Sequence, residues 1–467
     1  MTIWPPQKHD LKRPVYLSLA STVLRAMRAG ELTGGDRLPT HRDLAFQLEI
    51  SVQTVSRAYD ELIRVGAISG QVGRGTFVTG ELAEGTSPHF YLPEEERRSL
   101  IDLSILKPVG DQIHVDHMRN ALRALTENLP AEVVHSFRPA NTAHAYDTTA
   151  RKWLKYCGVD LDAQSALITN GNTAAMTVAL MTVANPGDLV VTEEIGHHTL
   201  NPLARYLGLR LTGLRTDSDG ILPQAFQAAC SNQTVKALYL MPTGLGPHLT
   251  TMSTARRIEL VEIAREHDVF IIESDAWGPL QSVRPAPFAM LAPERTLYFT
   301  SLTKCLMPGL RVGYLVVPDA LSAAARNRHL VTNWMATSMM VEIASRWIDD
   351  GTALTLVNWQ IKAAFKRNEI AAACLQGLPF LKNPTGLHVW LPLSERDETK
   401  FIEAARQLGV AVAPGASFCI SDTPHESAVR ICLGGVSEIE LSNGLAAIRK
   451  LFLKQDEPVL TRDVVSI

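Results

Sequence analysis

At 467 residues, with a net charge of −3 and 46% hydrophobic residues, the chain has room for two or three domains and the balance of a globular protein. No apolar run nears the roughly 18 residues that suggest a membrane span, and the polar start, residues 1–10, lacks the apolar core of a signal peptide, so no membrane partner and a cytoplasmic location are expected. The six cysteines (157, 230, 305, 374, 419, 432) are scattered without a CxxC pair, and the histidines show no ligand spacing, which argues against a disulfide scaffold or a zinc site.

The first predicted element is a helix over residues 14–28, where Val15, Leu17, Leu19, Val23, Leu24 and Met27 recur at helical spacing before Gly30, Gly34 and Gly35 end it. Thr40 is the N-cap of a second helix, with Asp43 three residues on. A short turn through Glu49, Ile50 and Ser51 leads into a helix over residues 52–65, and two helices joined by so short a turn make a helix-turn-helix. Residues 67–69 and 76–78 read as strands around a glycine turn, residues 71–75, that carries Arg74: a winged hairpin. The third helix would enter a major groove, with Ser51, Gln53, Thr54 and Arg57 placed for base edges and phosphates. Arg42 and Arg74 would hold the DNA backbone or a minor groove. Residues 1–80 carry ten lysines and arginines against seven acids, a net +3 that leaves −6 for the remainder. A basic module on an acidic body fits double-stranded DNA as a partner.

Residues 81–100, rich in glutamate with Pro88 and Pro93, read as a linker. Beyond it, short apolar runs at residues 165–169, 189–192, 237–240, 269–272 and 297–299 alternate with helical segments, as buried parallel strands do, so the body (101–455, before a tail at 456–467) is α/β. From about residue 333 a smaller α+β lobe is expected, with strands at 387–391 and 428–433. Gly171, Asn172 and Thr173 follow the first strand and open a helix over residues 174–183; free amides at a helix start beside a glycine make an anion site.

The most informative segment is Ser301, Leu302, Thr303, Lys304, followed by Pro308, Gly309, Arg311 and Gly313. It suits a lysine that forms a Schiff base with pyridoxal 5'-phosphate (PLP), with the Ser301 hydroxyl and the forked Arg311 guanidinium both able to reach the cofactor phosphate.

This segment resembles the lysine signature of the fold-type I PLP enzymes, the aminotransferases. The run from Gly34 to Ala45, then Thr54 to Leu62, then Gly73 to Val78 resembles the winged helix of GntR-type regulators. A GntR head before an aminotransferase-like body is similar to the MocR subfamily of bacterial transcription factors. The resemblance implies a winged helix-turn-helix followed by a fold-type I aminotransferase-like domain, and adds Arg37 and Thr40 to the DNA-facing residues. It implies a homodimer in which the head of one chain lies over the body of the other, and a small amino-compound effector. The function implied is PLP-responsive regulation of transcription; the alternative is a working aminotransferase with an appended head.

Within the body the resemblance implies that Asp275 pairs with the cofactor's pyridine nitrogen, that Trp277 stands where a tyrosine usually contacts the cofactor oxygen, that His197 stacks on the ring, and that Arg430 clamps a substrate carboxylate. A second register puts Ser274 in the aspartate position, and strand alternation then turns Asp275 away. Two departures weaken the case for efficient transamination while leaving PLP capture intact: Gly246 stands where an asparagine donor is usual, and Trp277 lacks a phenol.

Overall fold

The computed structural model describes residues 4–6, 11, 14–28, 31–64, 67–71, 75–78, 100–135, 139–162, 164–244, 246–281, 284–394, 396–420 and 426–454. The chain divides into two compact units, Met1–Arg97 and Arg98–Ile467. The expected linker, apart from residue 100, and the expected tail lie outside the described residues.

In the first unit α1 (Val15–Arg28), α2 (His41–Leu48) and α3 (Val52–Arg64) enclose a core of Leu19, Val23, Leu44, Leu48, Val55, Tyr59 and Leu62. Thr40 caps α2 as expected: its hydroxyl accepts from the Asp43 N–H at 3.2 Å and donates to the Asp43 carboxylate at 2.7 Å. Glu49 takes the left-handed conformation, φ 51°, that ends α2 and turns the chain. Ser51 then caps α3, accepting from the Thr54 N–H at 3.0 Å. The wing strands β2 (Ile68–Gln71) and β3 (Gly75–Val78) pair antiparallel. A strand the sequence reading did not include, β1 (Arg37–Leu38), pairs with β3 and makes the sheet three-stranded.

The second unit is built on a seven-stranded sheet. Its strands are β4 (Gln164–Thr169), β5 (Leu189–Glu193), β6 (Arg210–Leu214), β7 (Val235–Leu240), β8 (Phe270–Ser274), β9 (Thr296–Ser301) and β10 (Gly313–Pro318), in the spatial order β4-β10-β9-β8-β7-β5-β6. All five expected strands are present. Only β10 runs against its neighbours, pairing antiparallel with both β9 and β4. The other six therefore end at one edge, where β10 begins: Gly313 lies opposite both Ser301 and Thr169. Parallel strands need crossovers, and their loops collect at the carboxyl edge, the usual place for a ligand in an open α/β sheet.

The helix α4 (Asn172–Val183) follows β4. It is apolar nearly all round and buries Ala175, Met176, Val178, Ala179 and Leu180 in the main core. On the other face, α5 (Thr254–Glu266) packs Leu260 and Val261 with Ile271 of β8. The smaller lobe is a four-stranded sheet, β11 (Leu381–Lys382), β12 (His388–Ser394), β13 (Ala413–Pro414) and β14 (Ser427–Cys432), ordered β11-β12-β14-β13 over its own apolar core.

Candidate cofactor site and DNA-facing helix

Lys304 stands three residues beyond the end of β9, and its Nζ donates to the Leu106 carbonyl. Burial lowers its pKa from 10.5 to about 8; the thiol of Cys432 opposes this, while the cations Arg430 and Arg311 add to it. The turn Pro308–Leu310 and a left-handed Arg311, φ 51°, bring the Arg311 guanidinium back to the β4–α4 loop, where Nη2 donates to the Asn170 carbonyl at 3.3 Å. Glycine is required there. Gly171 has φ 79°, and a Cβ on it would come within 3.1 Å of Arg311 Nη2. Lys304, Arg311 and the first turn of α4 thus share one corner. Ser301 is buried at the end of β9, Asn172 is half-buried and Thr173 is exposed on the first turn of α4.

The smaller lobe contributes Arg430 from β14. It is buried, donates from Nη2 to the Ser104 carbonyl at 3.0 Å and lies 4.5 Å from the centroid of the Phe418 ring. His197 stacks on His198, centroids 4.9 Å apart, and its Nδ1 lies 2.7 Å from the Thr199 hydroxyl. Burial, aided by His198, Lys304 and Arg430, pushes the His197 pKa well below the usual imidazole range. His388 of β12, near the same two cations and fully buried, is held at about 3, chiefly by burial. Both rings are therefore neutral at physiological pH. Neither His198 nor His388 was singled out in the sequence. They join the site across about 190 residues of chain, with only the apolar run around His388 as a signal.

Several buried polar atoms of these segments have no protein partner: Asn172 Oδ1, Trp277 Nε1, Thr303 Oγ1, His388 Nδ1 and Arg430 Nε. Trp277 packs against His388, centroids 6.3 Å apart. An unpartnered buried polar atom costs about 1–3 kcal/mol, so such atoms on the segments that carry Lys304 and Arg430 suit a polar ligand. A half-buried lysine, a helix start backed by an arginine, and a buried arginine from the other lobe fit PLP joined to an amino acid. PLP would supply an aldehyde carbon for the lysine amine, and a phosphate for Arg311, Ser301 and the α4 start.

Asp275 does not fit its expected role. Its carboxylate is buried and spends both oxygens on protein donors. Oδ1 accepts from the Thr243 hydroxyl at 2.5 Å; Oδ2 accepts from Tyr298 at 2.7 Å and from Arg284 Nη1 at 2.9 Å. The physical reason is strand alternation, since Asp275 continues β8 on the face of Glu273, which pairs with Arg257 of α5.

In the first unit Arg37, Arg42, Gln53 and Arg57 are exposed, and Arg57 lies over the Tyr16 ring at 4.2 Å. The Ser51 and Thr54 hydroxyls bond each other at 2.8 Å and the Thr40 hydroxyl is engaged in its cap. Arg74 lies outside the described residues.

A strand-end lysine, a glycine turn into a buried helix backed by an arginine, and an arginine from a second lobe define the class: a fold-type I aminotransferase body. The chain belongs to the aminotransferase class I and II family, whose model matches residues 98–448. Residues 15–78 match the model of bacterial regulatory proteins, gntR family, so the winged helix is a GntR head. The HTH-type transcriptional regulator YdeF of Bacillus subtilis is 27% identical over 454 residues, covering 96% of each chain. The kynurenine aminotransferase of Pyrococcus horikoshii, solved with PMP, superposes with a TM-score of 0.71 at 21% identity, over 80% of this chain and 98% of that one. An archaeal alanine:glyoxylate aminotransferase gives 0.70 at 24% identity, over 76% and 91%. Among the described residues no helix is long and apolar enough to cross a membrane.

Proposed function

We propose that this chain is a DNA-binding transcription regulator whose aminotransferase-like body holds PLP on Lys304 and reads an amino compound carrying a carboxylate. The observation that carries the reading is the gathering of Lys304, Arg311 and Arg430 with unpartnered polar atoms in a chain that also carries a GntR head. Arg311, Ser301 and the amides of Gly171, Asn172 and Thr173 hold the phosphate, and His197 lies against the ring. Arg430 takes the carboxylate of the amino compound through its fork of donors. Trp277 Nε1, a buried donor without a partner, stands in for the phenol that its position usually supplies. Differential binding of the amino compound to two conformations shifts the affinity of the heads for DNA.

The body works as a homodimer, and two heads read two half-sites. The test is a PLP titration of the purified chain followed by absorbance, then a screen of amino compounds for loss of the band, with operator binding measured at each step. The band forms, a carboxylated amine removes it, and DNA affinity changes with it. A band unmoved by any carboxylated amine, or DNA affinity that ignores PLP and amine alike, refutes the sensor reading. Sedimentation at twice the 51.2 kDa chain mass checks the dimer.

A further inference from the structure

We propose that Ser274, and not a carboxylate, is the protein group that meets the ring nitrogen of PLP in this chain, so that the nitrogen stays unprotonated. The inference rests on the cofactor reading above and deepens it. A PLP ring whose nitrogen carries no proton is a poor electron sink, so the bound cofactor captures amines through its carbonyl carbon but does not readily drive loss of their α-proton.

Three observations converge. The first is the register of β8. Ile272 packs in the core that holds Ala175, Met176 and Ala179 of α4, the helix whose first turn forms the anion site; Ile271 packs with α5 on the opposite face. Side chains alternate along a strand, so Ser274 shares the α4 face with Ile272 and Glu273 shares the α5 face with Ile271. The Asp275 N–H donates to the Phe299 carbonyl at 2.9 Å, which carries the alternation one residue further and leaves Asp275 on the face of Glu273.

The second is the company Asp275 keeps. Its two oxygens are filled by Thr243, Tyr298 and Arg284, and the pair it makes with Arg284 is almost without solvent. Gly278 covers this pair so closely that a Cβ on that glycine would collide with both the carboxylate and the guanidinium. To reach a cofactor, Asp275 would leave a buried guanidinium unpaired, which is strongly unfavourable.

The third is electrostatic grouping. The charged and titratable groups coupled to Lys304 are Cys432, Arg430, Arg311, His197, His198 and His388. Asp275 acts on a separate set, Arg284, Tyr298, Glu273, Arg257, Cys157 and Cys305. Ser274, buried beside the Tyr239 hydroxyl, has an O–H that can donate to an unprotonated nitrogen but no charge to hold a proton there.

The experiment loads the full chain with PLP labelled with nitrogen-15 in the ring, confirms uptake by absorbance, and reads the ring nitrogen by NMR. In the unaltered chain the resonance lies at the unprotonated pyridine position, and Asp275→Asn leaves it there. Ser274→Asp moves it to the pyridinium position. A pyridinium signal in the unaltered chain overturns the proposal, most directly if Asp275→Asn removes it. Should Asp275→Asn not fold, the unaltered chain and Ser274→Asp still decide. Absence of PLP uptake by the unaltered chain overturns both this proposal and the cofactor reading, whereas normal uptake with a pyridinium overturns this proposal alone.

Discussion

The rate at which the protein captures PLP should bend with pH where Lys304 titrates. Only the neutral amine attacks an aldehyde. Burial and the two nearby arginines bring the Lys304 pKa from 10.5 to about 8. At pH 7 a lysine of pKa about 8 is neutral in about one molecule in ten, against about one in 3000 for an ordinary lysine, a gain of about 300-fold in reactive amine. Mixing cofactor-free protein with PLP between pH 6 and 10 and following the absorbance band should give an initial rate that climbs about tenfold per pH unit and flattens above about pH 8. Arg430→Gln removes one of the cations that disfavour the ammonium, so its bend should move to higher pH. A rate that climbs without a bend to pH 10, or a bend that Arg430→Gln leaves in place, would refute the reasoning.

Three further outcomes follow from the same geometry. Borohydride reduction of the PLP-loaded chain, then peptide mapping, should tag Lys304, and Lys304→Ala should abolish the tag while leaving the winged helix folded; a tag on another lysine contradicts the site. Arg42→Ala and Arg57→Ala should weaken operator binding, each reducing the salt-dependence slope by about 1 if its contact is to phosphate, with titrations at several salt concentrations as the check. Arg257→Leu should destabilise the body by about 3–5 kcal/mol in denaturant melts, because it strands the buried Glu273. That loss should shrink below about pH 7, since burial raises Glu273 from 4.5 to about 7 and a protonated Glu273 no longer needs its partner. A folded pKa raised above the unfolded one means the folded state gains stability relative to the unfolded as pH falls from about 7 to 4.5.

The elements most readily read from sequence were those whose signal is local. Each parallel strand is an apolar run because both its faces are covered, and a run such as Val269–Ile272 needs no partner to be recognised. The Thr40 cap is likewise decided within three residues. The β1 strand escaped because two residues carry no periodicity, and only the pairing of Arg37 with Phe77 makes them a strand. His198 and His388 escaped for a different reason. Each is unremarkable in its own segment, and only the folded chain brings both near Arg430 and Lys304.

Asp275 shows where local signals fail most sharply. Ser274 and Asp275 are neighbours at the end of one strand, and both are small and polar. Composition cannot separate them, yet a shift of one residue sends a side chain to the opposite face of the sheet. Two facts decide the outcome, and neither is local. Ile272 lies against α4, a hundred residues earlier, and Arg284 returns from a later loop to neutralise the carboxylate. The same logic separates capture from catalysis in this body. On the proposed reading Lys304, Arg311 and Arg430 would hold a cofactor and an amino acid. The carboxylate that would turn the ring into an electron sink is present in the chain but bound to an arginine on the other face. If Ser274 meets the ring nitrogen as proposed, the body would grip its ligand and be poorly suited to consume it.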